Sequence, residues 1–184
     1  MKNKKEIRLL DMRASENEDM TIEGYAVIFD TPAEQLWTEV IDHDALKDCD
    51  MTDVCLKYNH EDTYLLLART RNKSLELKVD DKGLKIKAHL IDTTSNRDIY
   101  KSIQAGLLDK MSFCFTVLED DWDYEKNLRT ILKIDKLFDV SVVDVPFYDT
   151  TEVFARSLEE YNQEKEKYEK LKLEKKKLLL YFDL

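Results

Sequence analysis

The feature that most constrains the fold of this 184-residue chain is a pair of strictly alternating runs separated by one short turn. Leu75, Leu77 and Val79 alternate with polar residues in Ser74–Val79, as do Leu84, Ile86, Ala88 and Leu90 in Leu84–Leu90. A period of two puts the apolar side chains of each run on one face of a β-strand and scatters them around a helix. Asp80-Asp81-Lys82-Gly83 joins the runs, and Gly83 can take a positive φ, so the spacing predicts a β-hairpin. The same reading predicts strands at Ile7–Met12, Ile22–Phe29, Tyr64–Thr70, Lys110–Leu118, Arg129–Ile134 and Leu137–Val143, with a short one through Val54, Leu56 and Tyr58. One helix interrupts them, with an N-cap offered by Thr94-Ser95-Asn96, a stripe of Ile99, Ile103 and Leu107, and Gly106 to end it. The class that follows is α+β, a strand-rich body with peripheral helices.

From Ser157 the chain changes character, with no Gly or Pro and almost only strong helix formers. Residues 157–184 carry 7 acidic and 7 basic residues, so the net charge of −10 lies entirely in residues 1–156. The division expected is therefore a body, 1–156, and a charged helical tail, 157–184. Tyr161, Tyr168, Leu171 and Leu178 fall at heptad spacing, but Lys165, Lys172 and Lys175 interrupt the stripe, which favours a solvated helix over a long coiled coil. Such a tail is expected to be separable and to dock on a partner helix or fray.

Charge and composition exclude several functions. A body at −10 repels nucleic acid and anionic membrane alike, so neither is an expected partner. Three glycines in the whole chain cannot build a Gly-rich phosphate cradle. Cys49, Cys55 and Cys114 form no CxxC pair, and the odd count with no secretion signal suggests a reducing, cytosolic compartment. Histidine occurs only at 43, 60 and 89, too scattered for a zinc site, and no metal or cofactor is expected.

In Lys110–Val117 the apolar residues Phe113, Phe115 and Val117 alternate with Ser112, Cys114 and Thr116. Ser112 thus faces away from the core and could serve as a nucleophile, although pattern alone favours an ordinary strand serine. His60 follows the short strand ending at Tyr58, where the chain turns; its imidazole can take a hydroxyl proton near neutral pH, and a surface loop histidine is the competing reading. A base of this kind is normally oriented by a carboxylate. Asp139 shares a face with Ser141, opposite Phe138, Val140 and Val142, and is the first choice, with Asp144 the alternative. Cys114 points the same way as Ser112 and is a rival nucleophile, or a small buried hydrophobe between two phenylalanines. His43 and His89 read as structural or exposed.

These residues, in this order, resemble the tailed-phage prohead (head-maturation) serine proteases, which are distantly related to the herpesvirus assemblins. The resemblance runs through Glu23-Gly24-Tyr25-Ala26-Val27-Ile28-Phe29, Glu39-Val40-Ile41 with Ala45-Leu46, Asn59-His60 and Leu67-Ala68-Arg69-Thr70. It continues through Gly83-Leu84, Met111-Ser112-Phe113 with Phe115, Val140-Ser141-Val142-Val143, Pro146 and Thr151, and so covers about residues 5–156. Ala68, Cys114 and Asp44 stand where the family often has glycine.

The resemblance implies a barrel-like, assemblin-like body with His60 as base and Ser112 as nucleophile. The herpesvirus enzymes orient their base with a second histidine after the serine; here every histidine precedes Ser112, and Asp139 fits that gap. Implied too are an endopeptidase inside the assembling prohead in the host cytoplasm, substrates in the scaffolding protein or the scaffold segment of the major capsid protein, cleavage of itself, and possible self-association. Backbone N–H groups would form the oxyanion hole, with Arg156 a candidate to assist. The reading from another class is a non-enzymatic module that recruits capsid and scaffold subunits.

Overall fold

A long antiparallel ribbon dominates the computed structural model, which describes residues 5–14, 20–34, 37–62, 66–144 and 152–182. Its strands are β1 (Lys5–Ala14), β2 (Thr21–Ile28), β3 (Ala33–Glu34), β4 (Thr38–Ile41), β5 (Cys55–Tyr58), β6 (Ala68–Arg69), β7 (Leu75–Asp80), β8 (Gly83–His89), β9 (Lys110–Asp123) and β10 (Leu128–Val143). The helices are α1 (Thr94–Gln104), between β8 and β9, and α2 (Glu152–Phe182). Strand order along the sheet is β3-β4-β10-β9-β1-β2-β8-β7, with β5 also on β10 and β6 on β5. β3 and β7 end this path unjoined, so the expected barrel-like body is an open, branched sheet among the described residues.

The hairpin forms as its alternation dictates. Leu84, Ile86 and Ala88 have no exposed surface and Leu75 is buried with them, whereas Val79, near the turn on the edge strand β7, is 45% exposed. Gly83 is needed for close approach: a Cβ there would lie 2.0 Å from the Val27 carbonyl oxygen of β2. α1 differs from its expected cap and stripe. Thr93, one residue earlier than expected, accepts a bond from the Asn96 N–H at 3.2 Å, and Leu107 lies past the helix and is exposed while Ile99, Tyr100 and Ile103 are buried. The stripe ends one turn early because Gly106, at φ 72, reverses the chain.

The strands expected at Arg129–Ile134 and Leu137–Val143 are one strand, β10. Its antiparallel register with β9 slips several times, last between Leu137 and Asp139. Its first part also pairs β4 in parallel and its last part pairs β5 in parallel. One strand thus carries neighbours on both sides at the end where the candidate residues lie. Of the strand expected at Tyr64–Thr70, only β6 is a strand among the described residues, and residues 63–65 lie outside them.

The expected tail is helical, but its helix begins at Glu152, before the expected boundary at 157. It packs on the body through Tyr161, Tyr168 and Lys172 where it was expected to be separable. Tyr161 packs against both Trp37 and Trp122, with ring centroids 5.2 Å away in each case, and the two indoles also touch each other. Tyr168 meets Tyr124 at 5.2 Å, and Lys172 donates to Glu125 at 2.6 Å. The heptad spacing of the two tyrosines therefore serves a clasp on the β9–β10 turn. Farther along, Leu171, Leu173 and Leu178 are each more than half exposed, as a solvated helix requires.

Candidate active site

Three neighbouring strands present one polar row on the side of the sheet opposite the apolar core. Ser141 on β10 lies across from Ser112 on β9 and from Lys57 on β5. Two residues back, Asp139 lies across from Cys114 on β9 and Cys55 on β5. Alternation sends Phe113, Leu56, Val140 and Val142 into the core, so these polar groups must share the other face. The slip between Leu137 and Asp139 makes this possible. Leu137 is buried in the core, Phe138 falls within the slip and is half-buried near the Lys136 ammonium, and Asp139 comes onto the polar face with Ser141. Bulges of this kind re-aim side chains beside functional sites.

His60 reaches this face through a reversal just after β5. Asn59 and His60 both take left-handed backbone conformations, at φ 51 and 57, uncommon for residues with side chains. The reversal is tied to β10 at three points. The Asn59 N–H donates to the Val142 carbonyl at 2.9 Å, the His60 N–H to Ser141 Oγ at 3.2 Å, and the Asp144 N–H to Asn59 Oδ1 at 3.2 Å. Together these bonds hold a strained turn in one geometry.

With its backbone so held, His60 places Nδ1 at 2.5 Å from Asp139 Oδ1. An ionised carboxylate only accepts, so the proton resides on Nδ1 and the lone pair of Nε2 is free to accept another. The Ser141 hydroxyl donates to the same Oδ1 at 3.0 Å while accepting from the His60 backbone. Lys57 Nζ lies 3.5 Å from Asp139 Oδ2 and donates to Asp62 Oδ1 at 2.5 Å. Burial pulls the Lys57 ammonium down, but the Asp62 hydrogen bond and the Asp139 charge outweigh it and hold the group above its ordinary range. Asp139, though 3% exposed, therefore has a compensating donor on each oxygen.

His60 Nε2 and Ser112 Oγ are two of the three buried side-chain polar atoms without a hydrogen-bond partner among the described residues; the third is Trp37 Nε1 in the aromatic clasp. They are not bonded to each other, yet Ser141 neighbours both, through its Oγ bond to His60 and its register opposite Ser112. Buried polar groups are ordinarily satisfied, so two unsatisfied ones beside an oriented imidazole stand out. Catalytic bonds are often long in the absence of substrate and tighten when it binds. In chemical terms the face holds a hydroxyl, an imidazole of defined tautomer and a compensated carboxylate.

Asp144, the alternative carboxylate, instead accepts from the Tyr58 hydroxyl at 2.8 Å. Cys114 is buried on β9 beside Asp139. His43 packs on the Phe29 ring and His89 bonds the Thr21 hydroxyl, each apart from this face. The Arg156 side chain lies outside the described residues. Reading the sequence by pattern assigned no role to Lys57 or Ser141. Their shared parity with Asp139 and with the turn to His60 was a signal, but only pairing of β5 with β10 makes it count. No cluster among the described residues could hold a metal ion, and no helix among them is long and apolar enough to cross a membrane.

The family model of the caudovirus prohead serine proteases matches residues 8–164. No curated protein matches the chain. Among solved structures, the capsid assembly protease of bacteriophage T4 is similar, with a TM-score of 0.54 and 11% identity over 78% of this chain and 100% of that one. At that identity the likeness is one of fold.

Proposed function

Since the chain belongs to the caudovirus prohead serine protease family, we propose that it performs its peptide cleavage with Ser112 as nucleophile, His60 as general base and Asp139 as the carboxylate that orients the base. The observation that carries this assignment is the imidazole itself. Nδ1 is engaged by Asp139 at 2.5 Å, and Nε2 is left buried and unpartnered on the face that bears an unpartnered Ser112 hydroxyl.

In this reading the Ser112 proton passes to His60 Nε2 as Oγ attacks the scissile carbonyl. Asp139 stabilises the imidazolium, which then protonates the leaving amine, and water releases the acyl group by the same route. Ser112 has no exposed surface in this structure. The family acts in phage head maturation. The substrates we propose are the scaffolding protein or scaffold segment of the major capsid protein, and the chain itself, cut inside the prohead.

Mass spectrometry of the purified chain beside its Ser112→Ala form, each incubated with scaffold-bearing capsid protein, tests the assignment. Fragments from wild type and none from Ser112→Ala or His60→Ala are expected. Cleavage that survives Ser112→Ala would overturn it.

A further inference from the structure

Resting on that reading of His60 and Asp139, we propose that Lys57 is a positioning residue whose ammonium, shared between Asp139 and Asp62, sets the pH at which His60 becomes a free base. The geometry is specific. Parallel pairing of β5 with β10 puts Lys57 beside Ser141 and brings Nζ to 3.5 Å from the oxygen of Asp139 that His60 does not use. The same Nζ reaches 2.5 Å to Asp62, two residues beyond His60 on the turn that carries the base. Lys57 thereby links the carboxylate on β10 to the loop holding the imidazole.

Charged and titratable groups surround His60 from β5, β6, β9, β10 and its own turn. β10 supplies Asp139, and β5 supplies Lys57 and Cys55. Burial raises the Cys55 thiol, which keeps it neutral. β9 supplies Cys114 beside Asp139. On β6, Arg69 lies beyond Cys55 and is engaged on both sides of its guanidinium by Asp53, at 2.6 and 2.7 Å. The turn supplies Glu61 and Asp62, both exposed, and Asp144 at the end of β10 accepts from Tyr58. Among the described residues Lys57 is thus the cation in direct contact with the carboxylate that holds His60, with a side chain only 17% exposed.

A cation there works against protonation of His60, because it draws on the same carboxylate that stabilises the imidazolium. Its removal raises the proton affinity of the base. Loss of Asp62 does the reverse, since the ammonium is then uncompensated and free to turn wholly to Asp139. A unit charge on the far side of one carboxylate, partly neutralised by its own partner, shifts the base by roughly half to one pH unit. Asp62 is 88% exposed, so its influence must shrink with salt.

The test is the pH dependence of labelling of the full chain by a small fluorophosphonate, with the labelled residue read by mass spectrometry. For Lys57→Met the acid limb should move up by roughly half to one pH unit, Lys57→Arg should stay with wild type, and Asp62→Asn should move down by less, with the shift fading at high salt. A residue that only supports the fold would change the labelling rate without moving the limb. Labelling at Ser112 that depends on His60, with one unmoved acid limb in wild type and Lys57→Met, overturns this proposal and spares the site assignment. Absence of His60-dependent labelling at Ser112 in wild type overturns both.

Discussion

Replacing Asp139 by asparagine tests the oriented base most severely, because the surroundings of the carboxyl dictate how the amide must sit. Three donors converge on the carboxylate: His60 Nδ1 at 2.5 Å and the Ser141 hydroxyl at 3.0 Å on Oδ1, and Lys57 Nζ on Oδ2. An amide offers one acceptor oxygen and one NH2 group, so one side must meet a donor with a donor. The ammonium cannot become an acceptor, whereas neutral imidazole can by moving its proton to Nε2. The amide oxygen therefore turns to Lys57 and the NH2 to His60, leaving Nε2 protonated and unable to accept the Ser112 proton. Charge stabilisation and the correct tautomer are lost together, and the expected fall in cleavage rate is about 10⁴, the scale of such a substitution in a serine protease, equivalent to roughly 5 kcal/mol of transition-state stabilisation. The assay is the rate of substrate cleavage followed by mass spectrometry, with far-ultraviolet circular dichroism to establish that the fold is kept. Asp144→Asn, whose side chain accepts from the Tyr58 hydroxyl and not from His60, should remain within a few-fold of wild type. Adding Lys57→Met to Asp139→Asn should recover part of the loss, because the amide can then turn its oxygen to His60. An Asp139→Asn rate within tenfold of wild type, or an equal loss for Asp144→Asn, would refute the reasoning.

Cys114→Ser should keep most of the cleavage activity, and the reverse pattern, with Ser112→Ala active and Cys114→Ser dead in the same assay, would make the thiol the nucleophile. Tyr161→Ala removes ring contacts with Trp37, Trp122 and Tyr124; at about 1 kcal/mol each this costs about 3 kcal/mol and lowers Tm by roughly 10 °C in calorimetry. A chain ending at Arg156 should show a loss at least as large, whereas one ending at Glu174 should melt with the full chain. Burial pushes the Cys49 thiol up to about 11; its alkylation by iodoacetamide at pH 8 should therefore be about two orders of magnitude slower than that of an unhindered thiol, since only thiolate reacts. Because the folded value lies above the unfolded one, Cys49 costs no stability below the ordinary thiol range and lowers it as pH rises from there to about 11, visible as a falling alkaline Tm.

Local periodicity determined most of the elements, because alternation and capping act within a few residues. The Ser74–Leu90 hairpin, the strand bearing Ser112 and the end of α1 at Gly106 were all legible, and so was the family, through residues in a fixed order from Glu23 to Thr151. Tertiary structure decided how those elements meet. The strand expected to stop at Ile134 continues as β10, and the register slip after Leu137 that turns Asp139 toward His60 depends on the pairing of β10 with β9. Alternation within Leu137–Val143 put Asp139 and Ser141 on one face but also put Phe138 on the core side; the slip, which depends on the partner strand, sends Leu137 into the core instead. Lys57 and Ser141 gain meaning only when β5 lies parallel to β10, and the contact of His60 with Asp139 and not with Asp144 rests on a turn held by bonds to residues more than eighty positions away. The tail's tyrosines likewise carried a spacing but no address. Trp37 and Trp122, far apart in the chain, supplied the surface on which Tyr161 packs. Short-range preferences are written in each segment, whereas a catalytic face is assembled from side chains whose only common property is where the strands bring them.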